Sequence, residues 1–208
     1  MKTDEPEPHE RFAVPDFRRD IDLEAQIRLL PPRATCKGVF FADVLSRGAR
    51  VASLADIAEK AKVPARSYSL FLDYPHAEWM RITYAVASMI PEGARYVGEG
   101  LRHLGQHAFD AMFHHPLGKV IFGPLGLQVE RVVASGPLAY KVGLGFGDIT
   151  AVRVAERHYL YTFRDFPTFL ETFNVGVLEG GIAQYYVKPR VRIRMNSLAH
   201  CEMEVTWT

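Results

Sequence analysis

Three kinds of residue in this chain have a spacing that could do chemistry. The first is a set of histidines, His103, His107 and His114, at i, i+4 and i+11, which a helix would bring to one side of itself. A neutral imidazole there could ligate haem iron or another metal, which makes His103 and His107 the haem-ligand candidates. Against this, a zinc site needs three or four converging ligands, no His-Glu-x-x-His is present, and a His pair on a polar helix face is more often solvated surface. The second is a glycine run, Gly143-Leu144-Gly145-Phe146-Gly147. It lacks both the third glycine of a dinucleotide loop and the lysine of a P-loop, and it precedes an expected strand. The third is a supply of aromatic side chains in the C-terminal half. Phe109, Phe113, Phe122, Tyr140, Tyr161, Phe163, Phe169 and Phe173 are candidate walls for a flat or chain-like apolar ligand, with tyrosine hydroxyls to orient it. An ordinary aromatic core is the plainer reading of the same residues. No Gly-x-Ser-x-Gly is present, Cys36 and Cys201 form no CxxC, and no spacing specifies catalysis.

The elements that must position these residues follow from periodicity. Residues 1–19 are polar, carry prolines at 6, 8 and 15, and are expected to form a loose arm before a single domain over 20–208. Thr35–Phe41 reads as a strand, followed by helices near 42–50 and 53–62 with Ser53 as N-cap of the second. Pro75 suits the first turn of a helix over 76–90, whose stripe is Trp79, Ile82, Val86 and Met89. The next helix is predicted over 92–113, with Val97, Leu101, Leu104, Ala108 and Met112 inward. Another stretch over 118–134 should break at Gly123-Pro124 and close at Gly136-Pro137.

Thereafter the period changes from helical to alternating. Residues 148–156 and 158–163 read as a hairpin, 168–184 as a helix opened by Pro167, and 188–195 with 201–207 as a second hairpin. Gly176, Gly180 and Gly181 inside the helix suggest a close backbone approach. In the last hairpin Cys201, Met203, Val205 and Trp207 share an inner face, and Glu202 and Glu204 point outward, opposite Arg194 and Arg192. The fold class is α+β: an N-terminal helical layer packed on a four-stranded antiparallel sheet.

This order resembles an uncharacterised paralogous family expanded in myxobacteria, a domain of unknown function of about this size. The resemblance rests on Lys37-Gly38-Val39-Phe40-Phe41, Leu101-Arg102-His103-Leu104-Gly105, Asp165-Phe166-Pro167, Val175-Gly176-Val177-Leu178-Glu179-Gly180 and Cys201-Glu202-Met203-Glu204-Val205-Thr206-Trp207. That family is similar in turn to vinyl-reductase-type domains, which are related in fold to haem nitric-oxide-binding domains and vesicle-tethering subunits. The resemblance implies an apolar cavity between helices and sheet, used in relatives for a porphyrin, an acyl chain or another hydrocarbon. It supplies no catalytic residues.

Bulk composition narrows the function classes. Twenty-five basic against 24 acidic residues give a net charge of +1, so no global field favours nucleic acid or an anionic membrane. No apolar run is long enough to span a bilayer, and the acidic, proline-bearing start is unlike a secretory leader, so a cytoplasmic protein with reduced thiols is expected. The expected function is a non-enzymatic sensory or carrier module that encloses a small apolar ligand, of tetrapyrrole or hydrocarbon type. The alternative is a homodimeric scaffold or interaction module with a filled core and no ligand.

Overall fold

The structure is a computed structural model that describes residues 12–114 and 128–208, without the side chains of 110–114. Its elements are α1 (Leu23–Arg28), β1 (Thr35–Lys37), α2 (Gly38–Gly48), α3 (Leu54–Ala61), β2 (Asp73–Pro75), α4 (His76–Met89) and α5 (Val97–His114). They continue with α6 (Val129–Gly143), β3 (Asp148–Ala155), β4 (His158–Arg164), α7 (Val175–Ala183), β5 (Pro189–Ser197) and β6 (His200–Trp207). The main sheet is four-stranded and antiparallel in the order β3-β4-β6-β5, and β1 pairs antiparallel with β2 in a separate two-stranded sheet. An α+β fold with helices against a four-stranded antiparallel sheet is what the periodicity implied.

Two apolar cores lie on either side of α7. One joins α2, α3, α4 and α5 through Phe41, Val44, Ile57, Met80, Ile82, Val86, Leu101 and Leu104. The other joins the sheet to α6 and α7 through Tyr161, Phe163, Leu178, Ile182, Val191, Met203, Val205 and Trp207. Phe169 and Phe173 enter the first core, whereas Leu170, Val175 and Leu178 enter the second. The segment around α7 therefore ties the layers together. It can do so because glycines remove the spacers. A Cβ on Gly105 would overlap the Phe173 carbonyl, and one on Gly176 or Gly180 would overlap the Arg102 or Gln106 carbonyl, so α5 and α7 pack backbone to backbone.

Local chemistry explains most boundaries. Ser53 and Asp56 form a reciprocal capping box at the start of α3. The closing hairpin keeps the expected register, Arg194 opposite Glu202 and Arg192 opposite Glu204, with Cys201, Met203, Val205 and Trp207 buried. Glu204 departs from expectation. It is 6 % exposed, because His158 Nε2 at 3.3 Å and Arg192 at 3.4 Å close over it. Ala13 exchanges two backbone hydrogen bonds with Ile193 along the outer edge of β5.

Four element boundaries differ from the sequence reading. The β-branched run at 35–41 stops as a strand at Lys37, and Gly38 to Phe41 belong to α2. The helical spacing of Phe41, Val44 and Gly48, all buried, outweighs the local strand preference. The helix expected from 92 begins at Val97, preceded by a 3₁₀ turn at Pro91–Gly93 in which Gly93 packs against the Ala87 carbonyl. The helix expected from 168 starts as a π-helical turn, Leu170–Asn174, behind Phe169 in left-handed conformation (φ 44°). Finally, Gly136-Pro137 does not close a helix. It lies inside α6.

The fourth case has a specific cause. Proline at 137 has no N–H to give to the carbonyl four residues earlier, Val133. That carbonyl is instead taken by the hydroxyl of Tyr161 from β4, which donates to it in the buried interior. Gly136 makes the approach possible, since a Cβ there would overlap the same hydroxyl. The break in α6 is thus repaired by the sheet. The part of the expected 118–134 helix before Gln128, including Gly123-Pro124, lies outside the described residues.

Candidate functional site

The site begins at α4, where the two polar rings of His76 and Trp79 point to the same interior. His76 is 1 % exposed, stacks on Trp79 with ring centres 5.1 Å apart, and meets the edge of Phe146 at 4.6 Å. Its Nε2 lies 3.0 Å from Thr168 Oγ1, while its Nδ1 and the Trp79 Nε1 have no hydrogen-bond partner among the described residues. Burial pushes the imidazole down to about 3, so it is neutral at physiological pH.

A hydrogen-bonded chain runs onward from Thr168. The Asn174 amide donates to the Thr168 carbonyl, and Tyr140 Oη donates to Asn174 Oδ1 at 2.7 Å. This chain links α4, the π-helical turn and α6. Phe169 occupies a backbone region that side-chain-bearing residues rarely adopt, and the Gln26 side chain from α1 accepts its N–H at 2.9 Å. Strain of this kind persists where the surroundings fix it, and π-turns are frequent at functional sites.

Behind this chain lies an apolar cavity of about 80 Å³. Among the described residues it is lined by Cys36 and Phe40 from β1 and α2, His76 and Trp79 from α4, and Ala108 and Phe109 from α5. Ala139, Tyr140 and Leu144 follow from α6 and its end, and Phe166, Thr168, Phe173, Asn174 and Val177 from the segment leading into α7. Its wall is almost wholly apolar, because the hydrogen bonds of Thr168, Asn174 and Tyr140 are spent on one another. A second cavity of about 60 Å³ lies between α6, α7 and Tyr161 of β4, and it shares Phe109, Ala139, Tyr140 and Val177 with the first. The larger space therefore lies among helices, and the smaller one reaches the sheet.

The eight aromatic candidates fall in different places. Phe109, Tyr140 and Phe173 line the first cavity, and Tyr161 lines the second with Phe109 and Tyr140. Phe163 stands behind them in the sheet core, its ring edge-on to Tyr140 at 5.6 Å. Phe169 is in the helical core, 6.4 Å from Trp79. The Phe113 side chain and Phe122 lie outside the described residues, as does the side chain of His114. His103 and His107 meet edge to face with ring centres 4.8 Å apart, His103 facing Glu92 at 3.6 Å and His107 lining an open polar groove beside Arg102 and Glu179. Neither lines the apolar cavity. Sequence reasoning did not single out His76, Trp79, Thr168 or Asn174 as site residues. The one signal available was His76 with Trp79 three residues on, directly behind Pro75.

A porphyrin does not fit these residues. Ligand pockets occupy about 300–1,000 Å³, several times the space here. Among the described lining residues no Arg or Lys is present to meet propionates. The described residues also hold no group of three potential metal ligands. Both cysteines are buried with thiol pKa values raised by desolvation, Cys36 at the cavity wall and Cys201 in the sheet.

Comparison with known proteins agrees with the fold. Residues 30–208 match the family model described as protein of unknown function (DUF2378), and the chain belongs to that family. No curated protein matches it in sequence. Among solved structures it is similar to an H-NOX protein from S. oneidensis in the Fe(II)NO ligation state, with TM-score 0.66 and 14% identity over 83% of this chain and 99% of that one. It is also similar to a point mutant of the unliganded Fe(II) H-NOX protein from K. algicida (TM-score 0.64, 10% identity, 83% and 96% coverage). An oxygen-binding H-NOX domain related to soluble guanylate cyclases, in its oxygen complex, matches with TM-score 0.58 and 14% identity, over 83% and 94%. At such identity the likeness is one of fold. No helix among the described residues is long and apolar enough to cross a membrane.

Proposed function

We propose that this DUF2378 protein is a cytoplasmic, non-enzymatic sensory or carrier module that takes a small apolar molecule, or the apolar end of a larger one, into the cavity between α2, α4, α5, α6 and α7. The observation that carries this reading is an almost wholly apolar space of about 80 Å³ kept open beside a strained π-turn. Close packing would fill such a space unless something occupies it in use, since voids cost stability. The similar H-NOX structures, which hold Fe(II) with NO or bind oxygen, support a fold that suits small-molecule binding. The ligand class differs here: a hydrocarbon, with no haem.

The signal follows from the site's construction. The chain His76–Thr168–Asn174–Tyr140 spans three elements that border the cavity. A guest that stabilises one arrangement of these elements shifts the population toward it, by no more than its differential affinity. Native mass spectrometry of freshly purified protein, with an absorbance scan, tests the reading. Extra mass that is lost on denaturation, without a Soret band, is the expected result. A Soret band, or bare protein whose resonances do not respond to dissolved xenon, overturns it.

A second reading, a homodimeric interaction module without ligand, has one observation in its favour. The sheet's edge strand β3 leaves Val152 and Val154 more than half exposed. Light scattering after size exclusion decides it: a dimer dissociated by Val152→Lys supports this reading, and a monomer removes it.

A further inference from the structure

We infer that the outer edge of β5 is an acceptor for an extended segment of a partner protein, and that residues 12–15 of the chain occupy it as a displaceable plug. Ladder parity identifies the edge. Just before β5, Lys188 exchanges both backbone bonds with Thr208, so the even-numbered residues of β5 face β6. The odd-numbered ones, Val191, Ile193 and Met195, turn their N–H and C=O groups outward. Ile193 is met there by Ala13, at 2.9 and 2.8 Å. Among the described residues no backbone bond reaches outward from Val191 or Met195. A row of such groups is a template for another strand.

Proline limits the plug. With Ala13 antiparallel to Ile193, residue 15 falls opposite Val191, and Pro15 has no N–H to give to the Val191 carbonyl. Val14 beside it is 71 % exposed. The plug therefore pairs through one residue with a strand of nine. Edge protection alone would explain a cover, but not the two guanidinium groups that recognise this one. Arg192 donates to the Phe12 carbonyl, and the Arg194 guanidinium lies 5.4 Å over the Phe12 ring. Glu204 and Glu202 hold the same two arginines in place. The edge thus carries a formed seat for an aromatic residue that leads into extended backbone. Further along, Phe17 acts as a pin. Its ring lies under Arg102 at 4.7 Å, and its carbonyl rests on Gly98, where a Cβ would overlap it. The pin keeps the following chain docked when residues 12–15 leave. The partner that fits is an extended segment with an aromatic side chain over Arg194 and an N–H at the place of Pro15. It pairs with Val191 as well as Ile193, which the plug cannot do.

The probe is a fluorescent peptide copying residues 9–17 with Pro15→Val, titrated by anisotropy into the full chain. In Ala13→Pro protein the plug loses the N–H that serves the Ile193 carbonyl. That protein should bind the peptide about tenfold more tightly than wild type, since a plug closed about nine-tenths of the time lowers apparent affinity in that proportion. Phe12→Ala, which takes the ring off Arg194 and keeps every backbone group, should act in the same direction and serves if the first variant does not fold. In either variant the peptide with its native Pro15 should bind about fivefold more weakly, and one N-methylated at Ala13 more weakly by at least as much. Equal affinity in wild type and both variants, equal binding of the N-methylated and parent peptides, or no binding by either variant overturns the inference. The ligand reading of the cavity is untouched by any of these results.

Discussion

Tyr161→Phe is expected to destabilise the protein, and Pro137 is the reason. The ring fills the same volume in either residue, so packing in the sheet core is retained. What is lost is the donor to the Val133 carbonyl, which Pro137 leaves without its usual helical partner. A buried carbonyl so orphaned costs about 1–3 kcal/mol. For a chain of 208 residues, each kcal/mol moves the melting temperature by about 2–4 °C. A loss of about 2 kcal/mol therefore lowers it by about 4–8 °C. The decisive measurement is a double-mutant cycle by urea denaturation. In a Pro137→Ala background the alanine N–H can serve Val133, so Tyr161→Phe should cost about 1–2 kcal/mol less there than in the wild type. Equal costs in the two backgrounds would refute the idea that the sheet repairs the helix.

Other consequences follow from the same geometry. Gly180→Ala and Gly176→Ala should each be strongly destabilising, by more than about 3 kcal/mol, because the added methyl meets α5 backbone rather than a movable side chain; circular dichroism melts check this against Ala183→Gly on the exposed end of α7. His76 has a folded-state value near 3 against an ordinary 6.5, so below 6.5 the unfolded chain takes up a proton that the folded one refuses. Its contribution is complete above that pH and is lost as pH falls from 6.5 towards 3, at about 1.4 kcal/mol per unit; a His76→Gln variant should flatten that slope in pH-dependent denaturation. Cys36 and Cys201 should ignore a thiol reagent at pH 8 in the native state and react fully in denaturant, since burial keeps both protonated.

Much of the fold was legible in the sequence because it rests on local signals. Alternation gave both hairpins, and the arginine–glutamate register of the last one followed from loop length alone. Ser53 announced its capping box, and the glycines of α7 announced the close approach to α5. What local signals could not show was compensation from a distance. Pro137 reads as a helix stop unless Tyr161, on another element, is known to serve the freed carbonyl. Phe169 reads as the first turn of a helix because nothing local encodes the π-turn that Gln26 and Asn174 support. Aromatic count gathered Phe109, Tyr140 and Phe173, which border the cavity. It also gathered Phe163 and Phe169, which are core. His76 and Trp79 were missed as cavity residues, since a ring on an apolar helix face carries no mark of which space it borders.

The most direct measurement of the central claim is a crystal of the full chain pressurised with xenon. Xenon density is expected between Trp79, Phe166 and Val177, abolished in Ala108→Phe, with the surrounding fold unchanged. Xenon absent from that space, or side chains collapsed into it, would contradict the claim that the fold keeps an apolar ligand site open there.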